Sequence, residues 1–577
     1  MNFFEALPEL SEYVLAGAKY ILPFLAIWLL MRCVRSMLRE KYEPETWAYL
    51  IDEAGAKRPV HHWECIIGRA ASADVVVTEP SVSRVHASLM RDDEGGWNLS
   101  DIRSKGGTRI NGRPVDTDEP VEDGDVLSFA GNDFTFRDID EKKRAAQAMR
   151  RTAPGRFIGP GVTLLILTLF QAFLTMEFTA TAQPGHVLPI ALAFLALMVI
   201  QWFCYFVMRS IRRTGFEPET LAFFLTTLGV AVVATSTPGE MLKQIFLVMI
   251  GITLFFFLGF WLRDLRRVKA FRWAAAVAAI GLLGLNLLVS EAVFGAKNWL
   301  TVAGVSIQPS ELVKVIYIYV GAAALDRLFE RRNLFAFIGF SALCVIALAL
   351  MGDFGAAVIF FTCFLVISFM RSGSFATVFL AVTGAGLAGF LVLSVRPYIA
   401  QRFATWGHVW EDVWGKGYQQ THALSAAAAG GLFGKGAGTG WLKDIVAANT
   451  DMVFAVLCEE LGLIIGLCAI LAVISLALFA VRNAAQGRST YYVIAACAAV
   501  SMLMVQMGLN VFGSLDILPF TGVTFPFVSK GGTSLISCWM MLAFVKAGDT
   551  RRDASFVVKP QAGRRVRPAD GEEEAEE

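Results

Sequence analysis

Charged residues, histidine and paired cysteines are all scarce in this chain of 577 residues. Only 18% of the residues are charged and the net charge is +1, which gives no indication of a nucleic acid partner. There are nine cysteines, but no two have C-x-x-C spacing, so the sequence indicates neither a zinc site nor a disulfide framework. Basic residues are also missing ahead of the first apolar run, which argues for a retained membrane anchor and against a cleaved signal peptide.

Hydrophobic sequence is what the chain has in excess. It is 55% hydrophobic, with a mean hydropathy of +0.54, which is typical of a polytopic α-helical membrane protein. Apolar runs close to the ~20 residues that a bilayer requires predict about twelve spans after an N-terminal anchor at 1–40. Lys and Arg collect in alternate loops, which predicts a cell membrane protein whose polar N-terminal domain and C-terminus are cytoplasmic. The predicted spans are 157–177, 187–208, 219–236, 242–262, 271–290, 310–327, 335–351, 354–370, 375–395, 453–481, 490–513 and 531–547.

Residues 45–138 differ from the rest of the chain. They are polar and contain short β-branched runs separated by turn signals such as Asn111-Gly112 and Asp123-Gly124. This pattern predicts a small all-β sandwich. A basic linker at 139–156 then leads to a membrane domain at 157–547, and the acidic end at 548–577 is predicted to be a disordered cytoplasmic tail.

The sandwich region contains "IIGRAASADVVVTEPSVSRVHASL" and "LSDIRSKGGTRINGRPV". These segments resemble the forkhead-associated (FHA) domain, which binds phosphothreonine peptides through loops at one end of a β-sandwich. The resemblance implies a phosphothreonine-containing protein partner and a Ser/Thr kinase system. One departure is Gly106, which stands where the family commonly has Asn. The implied phosphothreonine-binding residues are Arg69, Ser83, Arg84 and Lys105.

Three motifs in the apolar part carry a second resemblance. They are "GAKNWLTVAGVSIQPSELVKV", "NTDMVFAVLCEELG" and "LPFTGVTFPFVSKGGTSLI", in that order. Together they resemble the FtsW/RodA/SpoVE (SEDS) family. The resemblance implies a glycosyltransferase that polymerises lipid II into peptidoglycan glycan strands at the outer face of the cytoplasmic membrane. It also implies a class B penicillin-binding protein, a transpeptidase, as partner.

Asp451 lies where the apolar run beginning at Val453 enters the membrane. Glycosyl transfer needs a general base beside the attacking hydroxyl, and an aspartate at the membrane surface meets that requirement. Aspartate also caps helices well, so the residue type alone allows a purely structural role. The resemblance implies that Asp451 is the catalytic residue.

Glu311 and Lys314 are three residues apart on a predicted helix, which places them on one face, either as part of a cavity or as a structural ion pair. The resemblance places both in a central cavity that binds lipid II. Lys530 adds a positive charge at the outer face, where a phosphate would lie. Lys530 is predicted from its charge and not from the resemblance, because the family often has Tyr at this position. The full set of predicted lipid II-binding residues is Glu311, Lys314, Lys297, Trp299, Gln308, Asp353, Glu459 and Lys530.

A long predicted outer loop runs from about residue 396 to 450 and carries "GGLFGKGAGTG". Loops of this length are usually functional or disordered, and glycines allow close backbone approach to a ligand or sharp turns. Apolar and aromatic residues between the glycines favour a functional loop over a flexible linker.

Three questions stay open at the level of sequence. No metal ligands are assigned, although a divalent cation such as Mg²⁺ or Mn²⁺ would help to stabilise a departing pyrophosphate. A lipid II flippase is an alternative, because charged groups inside a membrane also mark substrate pathways. A catalytically inactive scaffold that recruits phosphorylated partners is another. The sequence does not distinguish septal from lateral wall growth.

Overall fold

The structure is a computed structural model that describes residues 3–39, 46–139, 159–324, 331–395, 403–550 and 555. Within these ranges it leaves out residues 72, 93–94, 116–117, 212, 214, 292–295, 303–304, 373–374, 485–486 and 488. The predicted linker and acidic tail therefore lie almost entirely outside the described residues.

The polar N-terminal domain is a sandwich of two sheets, as its turn signals predict. One sheet has six strands in the order β2-β1-β11-β10-β7-β8, and the other has five in the order β4-β3-β5-β6-β9. Alternate residues of both sheets point inward and form a separate hydrophobic core around Trp97, Leu127 and Phe136. The strands are β1 (Ala48–Asp52), β2 (Lys57–Val60), β3 (Glu64–Gly68), β4 (Val75–Val76), β5 (Ala87–Arg91), β6 (Trp97–Asp101), β7 (Thr108–Ile110), β8 (Arg113–Val115), β9 (Glu119–Val121), β10 (Val126–Phe129) and β11 (Asn132–Asp138).

The remainder is a bundle of helices around a second core, joined by short loops and one β-hairpin of β12 (Leu300–Val302) and β13 (Val305–Ile307). The helices are α1 (Phe3–Arg39), α2 (Pro160–Thr181), α3 (Pro184–Ser210), α4 (Glu217–Ser236), α5 (Met241–Trp261), α6 (Leu265–Val289), α7 (Pro309–Ala324), α8 (Arg331–Met351), α9 (Phe354–Ser372), α10 (Phe375–Val395), α11 (Tyr418–Gly430), α12 (Ala448–Asp451), α13 (Val453–Leu461), α14 (Leu463–Ala484), α15 (Thr490–Ser514) and α16 (Gly532–Ala547).

Ten helices in the described part of the chain are long and apolar enough to cross a membrane, with α1 among them. The fold class predicted from the sequence is therefore confirmed. The predicted span 531–547 forms a helix of only 16 residues, and the predicted span 310–327 is helical to Ala324, after which its last residues lie outside the described part of the chain. Both short helices are buried along most of their length, because they lie inside the bundle.

The prediction of one continuous span over 453–481 is wrong. Gly462 separates α13 from α14 and has a φ of 92°, a conformation that side chains rarely adopt. A Cβ atom at Gly462 would lie 2.3 Å from the carbonyl oxygen of Leu432, so the break allows the preceding loop to approach the helix backbone.

The long loop after α10 is ordered over 403–450 and includes the 13-residue helix α11. Small residues of α11 pack against α12 and α13, in a cluster that includes Ala423, Ala426 and Ala455. Gly430 permits the closest approach, since a Cβ atom there would lie 1.9 Å from the carbonyl oxygen of Cys458. This packing contradicts the flexible-linker interpretation over those residues.

Candidate active site and phosphopeptide site

A cavity of about 70 Å³ opens between the β12–β13 hairpin region, α7, the start of α9 and the loop before α16. The first and third sequence motifs contribute most of its walls. Its lining includes Ala296, Asn298, Gln308, Glu311, Lys314, Gly352, Asp353, Thr521, Gly522 and Thr524.

Glu311 and Lys314 form an ion pair at the bottom of this cavity. The Lys314 Nζ atom lies 2.8 Å from Glu311 Oε1, and the two side chains are 1% and 5% exposed. Lys314 also donates to Gln506 Oε1 at 3.0 Å, and Ser537 donates to Glu311 Oε2 at 2.9 Å. A buried pair needs such additional hydrogen bonds to offset the loss of water, and here both partners have them.

Asp353 lies at the start of α9, after Gly352, whose φ of 81° makes the turn out of α8. Its Oδ1 atom accepts a hydrogen bond from the backbone N–H of Ala356 at 3.0 Å, which is the geometry of a helix cap. Its Oδ2 atom lies 3.4 Å from Gln308 Nε2. The predicted cavity residues Gln308 and Asp353 are thus adjacent, and Asp353 also has a structural function.

Two polar atoms on the cavity wall are buried without a hydrogen-bond partner among the described residues. They are Asn298 Oδ1 and Thr521 Oγ1. Because buried polar groups are nearly always hydrogen-bonded, these two atoms point to a polar ligand group at this position.

Asp451 ends α12, the short helix that follows the left-handed residue Ala447. Asn510 of α15 fixes its backbone by donating to the Asp451 carbonyl oxygen at 3.0 Å. A Cβ atom at the cavity residue Gly522 would lie 3.1 Å from Asp451 Oδ2, so the carboxylate borders the cavity.

Three predicted residues, besides Asp451 and Glu459, do not line the cavity. Lys297 lies between two lining residues, and its backbone N–H donates to Met351 O at 2.8 Å. Trp299 is 40% exposed. Lys530 forms an ion pair with Glu240 at 3.3 Å, so part of the positive charge predicted for a phosphate is already neutralised.

Glu459 and Glu460 have a role that the sequence did not reveal. Both are almost completely buried, and neither is part of the cavity lining. Instead they accept hydrogen bonds from the glycine-rich loop, defined here as residues 434–442. Glu459 accepts from Lys435 Nζ and the N–H groups of Trp441 and Leu442 at 3.0 to 3.1 Å.

Glu460 completes this arrangement by accepting from three further donors. These are the N–H groups of Gly438 and Gly440, at 3.0 and 3.2 Å, and the hydroxyl of Thr235, whose oxygen lies 2.6 and 2.7 Å from the two carboxylate oxygens. The glycine-rich loop leads through a 3₁₀ turn into α12, so the two carboxylates fix the chain that ends at Asp451. Two adjacent acids inside an apolar run, with a glycine-rich loop shortly before them in the sequence, could have indicated this contact, because buried carboxylates need N–H donors.

The described residues offer no ready set of protein ligands for the predicted divalent cation. Within the part of the chain that the structure describes, no group of three or more His, Cys, Asp or Glu side chains is arranged to hold a metal ion. Mg²⁺ is often held by only one or two carboxylates together with substrate phosphates, so the cation stays a prediction.

The FHA domain brings its four predicted residues to one end of the sandwich. The Ser83 Oγ atom accepts from the backbone N–H of Lys105 at 3.0 Å. Arg69 Nε donates to the Val82 carbonyl oxygen at 3.3 Å, and Arg84 follows Ser83 directly. The backbone N–H of Arg69 donates to Ser83 O at 2.9 Å, so the loops that carry these residues meet at Ser83, and the three cationic side chains are exposed to solvent, where a phosphate group could reach them.

Buried polar residues beneath these loops hold them in place. His86 Nδ1 accepts from the Ser83 N–H at 3.1 Å, and its Nε2 atom lies 3.1 Å from Gly107 O. Asp101 accepts from the side chains of Ser104 and Thr108. Burial raises the pKa of Asp101, but these hydrogen bonds outweigh burial and hold the pKa below its ordinary value. Asp101 therefore stays ionised and braces the Lys105 loop, a role that the motif did not identify.

The departure at position 106 has a steric explanation. A Cβ atom at Gly106 would lie 2.3 Å from the Cβ of Ala130, so the Asn that is common in the family would clash unless that turn moved.

Comparison with known proteins agrees with both resemblances. The family FTSW_RODA_SPOVE, described as cell cycle protein, matches residues 220–552, and the FHA domain matches residues 65–130. A peptidoglycan glycosyltransferase RodA of Mycobacterium tuberculosis (strain ATCC 25618 / H37Rv) is 29% identical over 326 residues, covering 52% of this chain and 69% of that protein.

Two further comparisons cover the same part of the chain. A probable peptidoglycan glycosyltransferase FtsW of Tolumonas auensis is 34% identical over 311 residues, covering 52% of this chain and 81% of that protein. A solved chain from a peptidoglycan synthase complex is 24% identical with a TM-score of 0.48, covering 58% of this chain and 98% of that one. Since the family match spans more than half of its length, the chain belongs to the FtsW/RodA/SpoVE family and joins an FHA domain to that family's multi-pass membrane domain.

Proposed function

We propose that this protein polymerises lipid II into peptidoglycan glycan strands at the outer face of the cytoplasmic membrane. The observation that carries the proposal is the Asp451 carboxylate at the border of a polar cavity that contains the buried pair of Glu311 and Lys314. The relatives named above are a peptidoglycan glycosyltransferase and a probable one, and residues of the first and third sequence motifs line that cavity.

The chemistry follows from these positions. The sugar hydroxyl of one unit attacks the anomeric carbon of another, and Asp451 accepts the hydroxyl proton. A new carbon–oxygen bond forms as the bond to the pyrophosphate oxygen breaks. The ion pair of Glu311 and Lys314 supplies polar groups to the cavity wall, and the unpartnered polar atoms of Asn298 and Thr521 are available to substrate groups.

The orientation of the chain supports an extracellular reaction. The FHA domain contacts the end of the bundle that carries Arg371, and Arg482 lies on the last turn of α14. By the positive-inside rule, loops rich in Lys and Arg face the cytoplasm, and this supports a cytoplasmic FHA domain with Asp451 at the outer face. The lipid tail can then stay in the membrane while the head group reacts.

The decisive test compares Asp451→Asn with the native chain, using labelled lipid II, a divalent cation and a class B penicillin-binding protein as partner. We expect the native chain to form polymer and the variant to lose about 10²- to 10⁴-fold in rate. Asp444→Asn, an exposed aspartate close in sequence, is the matched control. Equal polymer from both chains would remove Asp451 as the base, and no polymer from either would favour the flippase or scaffold.

The FHA domain is proposed to bind a phosphothreonine-containing protein and so to place wall synthesis under a Ser/Thr kinase. The support is that the exposed cations Arg69, Arg84 and Lys105 lie on loops that meet at Ser83, because phosphothreonine offers nearly two negative charges and three acceptor oxygens.

A further inference from the structure

The FHA domain is in direct contact with the helical bundle. Glu64, the first residue of β3, accepts from Arg371 Nη2 at 3.1 Å and from Arg371 Nη1 at 3.4 Å. It also accepts from the hydroxyl of Thr490. The side chains of Arg371 and Glu64 are only 13% and 10% exposed, so water screens this ion pair far less than a surface pair. His62 Nδ1 adds a contact at 2.8 Å to the carbonyl oxygen of Gly487.

Glu64 thereby connects the ends of two particular helices. Arg371 lies in the last turn of α9, and Thr490 is the first residue of α15. These two helices also pack against each other. A single FHA carboxylate therefore holds the FHA-side ends of two neighbouring helices together.

The opposite ends of the same helices form part of the catalytic site. Asp353 caps the start of α9 and lines the cavity, about 28 Å from Arg371 for 19 helical residues. On α15, Gln506 accepts from Lys314, and Asn510 holds the Asp451 carbonyl oxygen. A tilt or shift of either helix at the Glu64 end would change the position of cavity residues at the other end.

The phosphopeptide site lies at the far end of the strand that carries Glu64. β3 runs from Glu64 to Gly68, and Arg69 follows, about 16 Å from Glu64 at the usual rise of a strand. Gly68 lies directly under the Arg84 loop, because a Cβ atom there would be 2.4 Å from Arg84 O. One short strand thus has the docking carboxylate at one end and the phosphate-binding loops at the other.

We propose that the contact of Glu64 with Arg371 and Thr490 couples phosphothreonine binding at the FHA domain to lipid II binding in the cavity, through α9 and α15. The inference rests on the proposed function and identifies where its regulation acts. Coupling between two binding sites is reciprocal, so lipid II must change the affinity for the phosphopeptide by the same factor as the phosphopeptide changes the affinity for lipid II. This reciprocity allows a test that does not require polymerisation.

The experiment uses the full chain with Asp451→Asn as background, so that lipid II is not consumed. The probe is a phosphothreonine peptide selected on the full chain from a degenerate library, and its Kd is measured with and without saturating lipid II. We expect lipid II to change this Kd by about five-fold or more, in the usual range of allosteric coupling. In Glu64→Gln the ratio of the two Kd values should fall to about one, while the peptide Kd without lipid II stays the same.

The control is Glu122→Gln, which removes an exposed carboxylate from the FHA domain and should keep the native ratio. Arg371→Gln should match Glu64→Gln, and the double variant should lose no more than either single one, because both remove the same contact. Equal ratios in the native and Glu64→Gln chains would overturn the inference, as would a native ratio of one with normal binding of both ligands. Failure of the native chain to bind any phosphothreonine peptide would instead refute the sensing function, and the coupling with it.

Discussion

In the FHA domain the cations Arg69, Arg84 and Lys105 are exposed to solvent, whereas in the membrane domain Lys314 and Lys546 are almost completely buried. Each buried lysine is held by a glutamate at 2.8 Å and by a further oxygen acceptor. The exposed set is suited to a partner that comes and goes, since water stabilises the charges when the partner is absent. The buried set must be satisfied at all times, because an unpaired charge there is very costly.

Carboxylate groups also have different roles in the two regions. On the FHA surface, Asp123 pairs with Arg137 with about half of each side chain exposed, so the pair contributes little to stability. In the bundle, Glu459 and Glu460 are buried and organise a whole loop through backbone N–H groups. The same carboxylate group therefore has a small effect on stability in one region and a structural role in the other.

The largest expected effect is the loss of stability when the buried ion pair of Glu311 and Lys314 is broken. Lys314→Met should lower the free energy of unfolding by about 3–5 kcal/mol, because it leaves Glu311 charged and without its partner. The double variant Glu311→Gln/Lys314→Met should recover most of that loss. Denaturant titration of the purified chain in detergent measures both, with Arg137→Met as the exposed control at under about 1 kcal/mol. If the single and double variants were equally destabilised, the pair would not be the source of the cost.

The second largest expected effect is a loss of local stability in the glycine-rich loop. Glu460→Gln keeps the side-chain shape but replaces one acceptor oxygen with an NH₂ group that cannot accept from Gly438 or Gly440. We expect a loss of about 2 kcal/mol in local stability, seen as roughly thirty-fold faster hydrogen exchange of those two amides.

The same variant should lower kcat for lipid II more than it raises KM, because the loop fixes the chain leading to Asp451. Glu240→Gln, at a 44% exposed carboxylate, should leave the exchange of both amides unchanged. Native exchange rates in Glu460→Gln would show that the loop holds its conformation without this carboxylate.

The difference between the two regions also explains what could be predicted from the sequence. Local patterns predicted the sandwich, the apolar helices and the neighbouring positions of Glu311 and Lys314, because each depends on spacing within one element. The break at Gly462, the loop bound to Glu460 and the pairing of Lys530 with Glu240 depend on contacts between distant segments. Glu64 and Arg371 are 307 residues apart, and no local pattern specifies such a pair.

The smallest expected effect is a loss of phosphothreonine peptide affinity at the exposed site of the FHA domain, and this effect depends on salt concentration. Arg69→Ala removes one of several exposed cations, so phosphothreonine peptide affinity should fall by about ten-fold, or about 1.4 kcal/mol. Isothermal titration at two salt concentrations measures this, with Arg113→Ala, an exposed arginine on β8, as the matched control.

Added salt should weaken peptide binding to the native chain, because exposed charges are screened. It should leave the stability gained from the buried Glu311–Lys314 pair nearly unchanged. Peptide binding that ignored both salt and Arg69 would mean that the exposed cations do not hold the phosphate, and the distinction between the two kinds of charge would fail at this site.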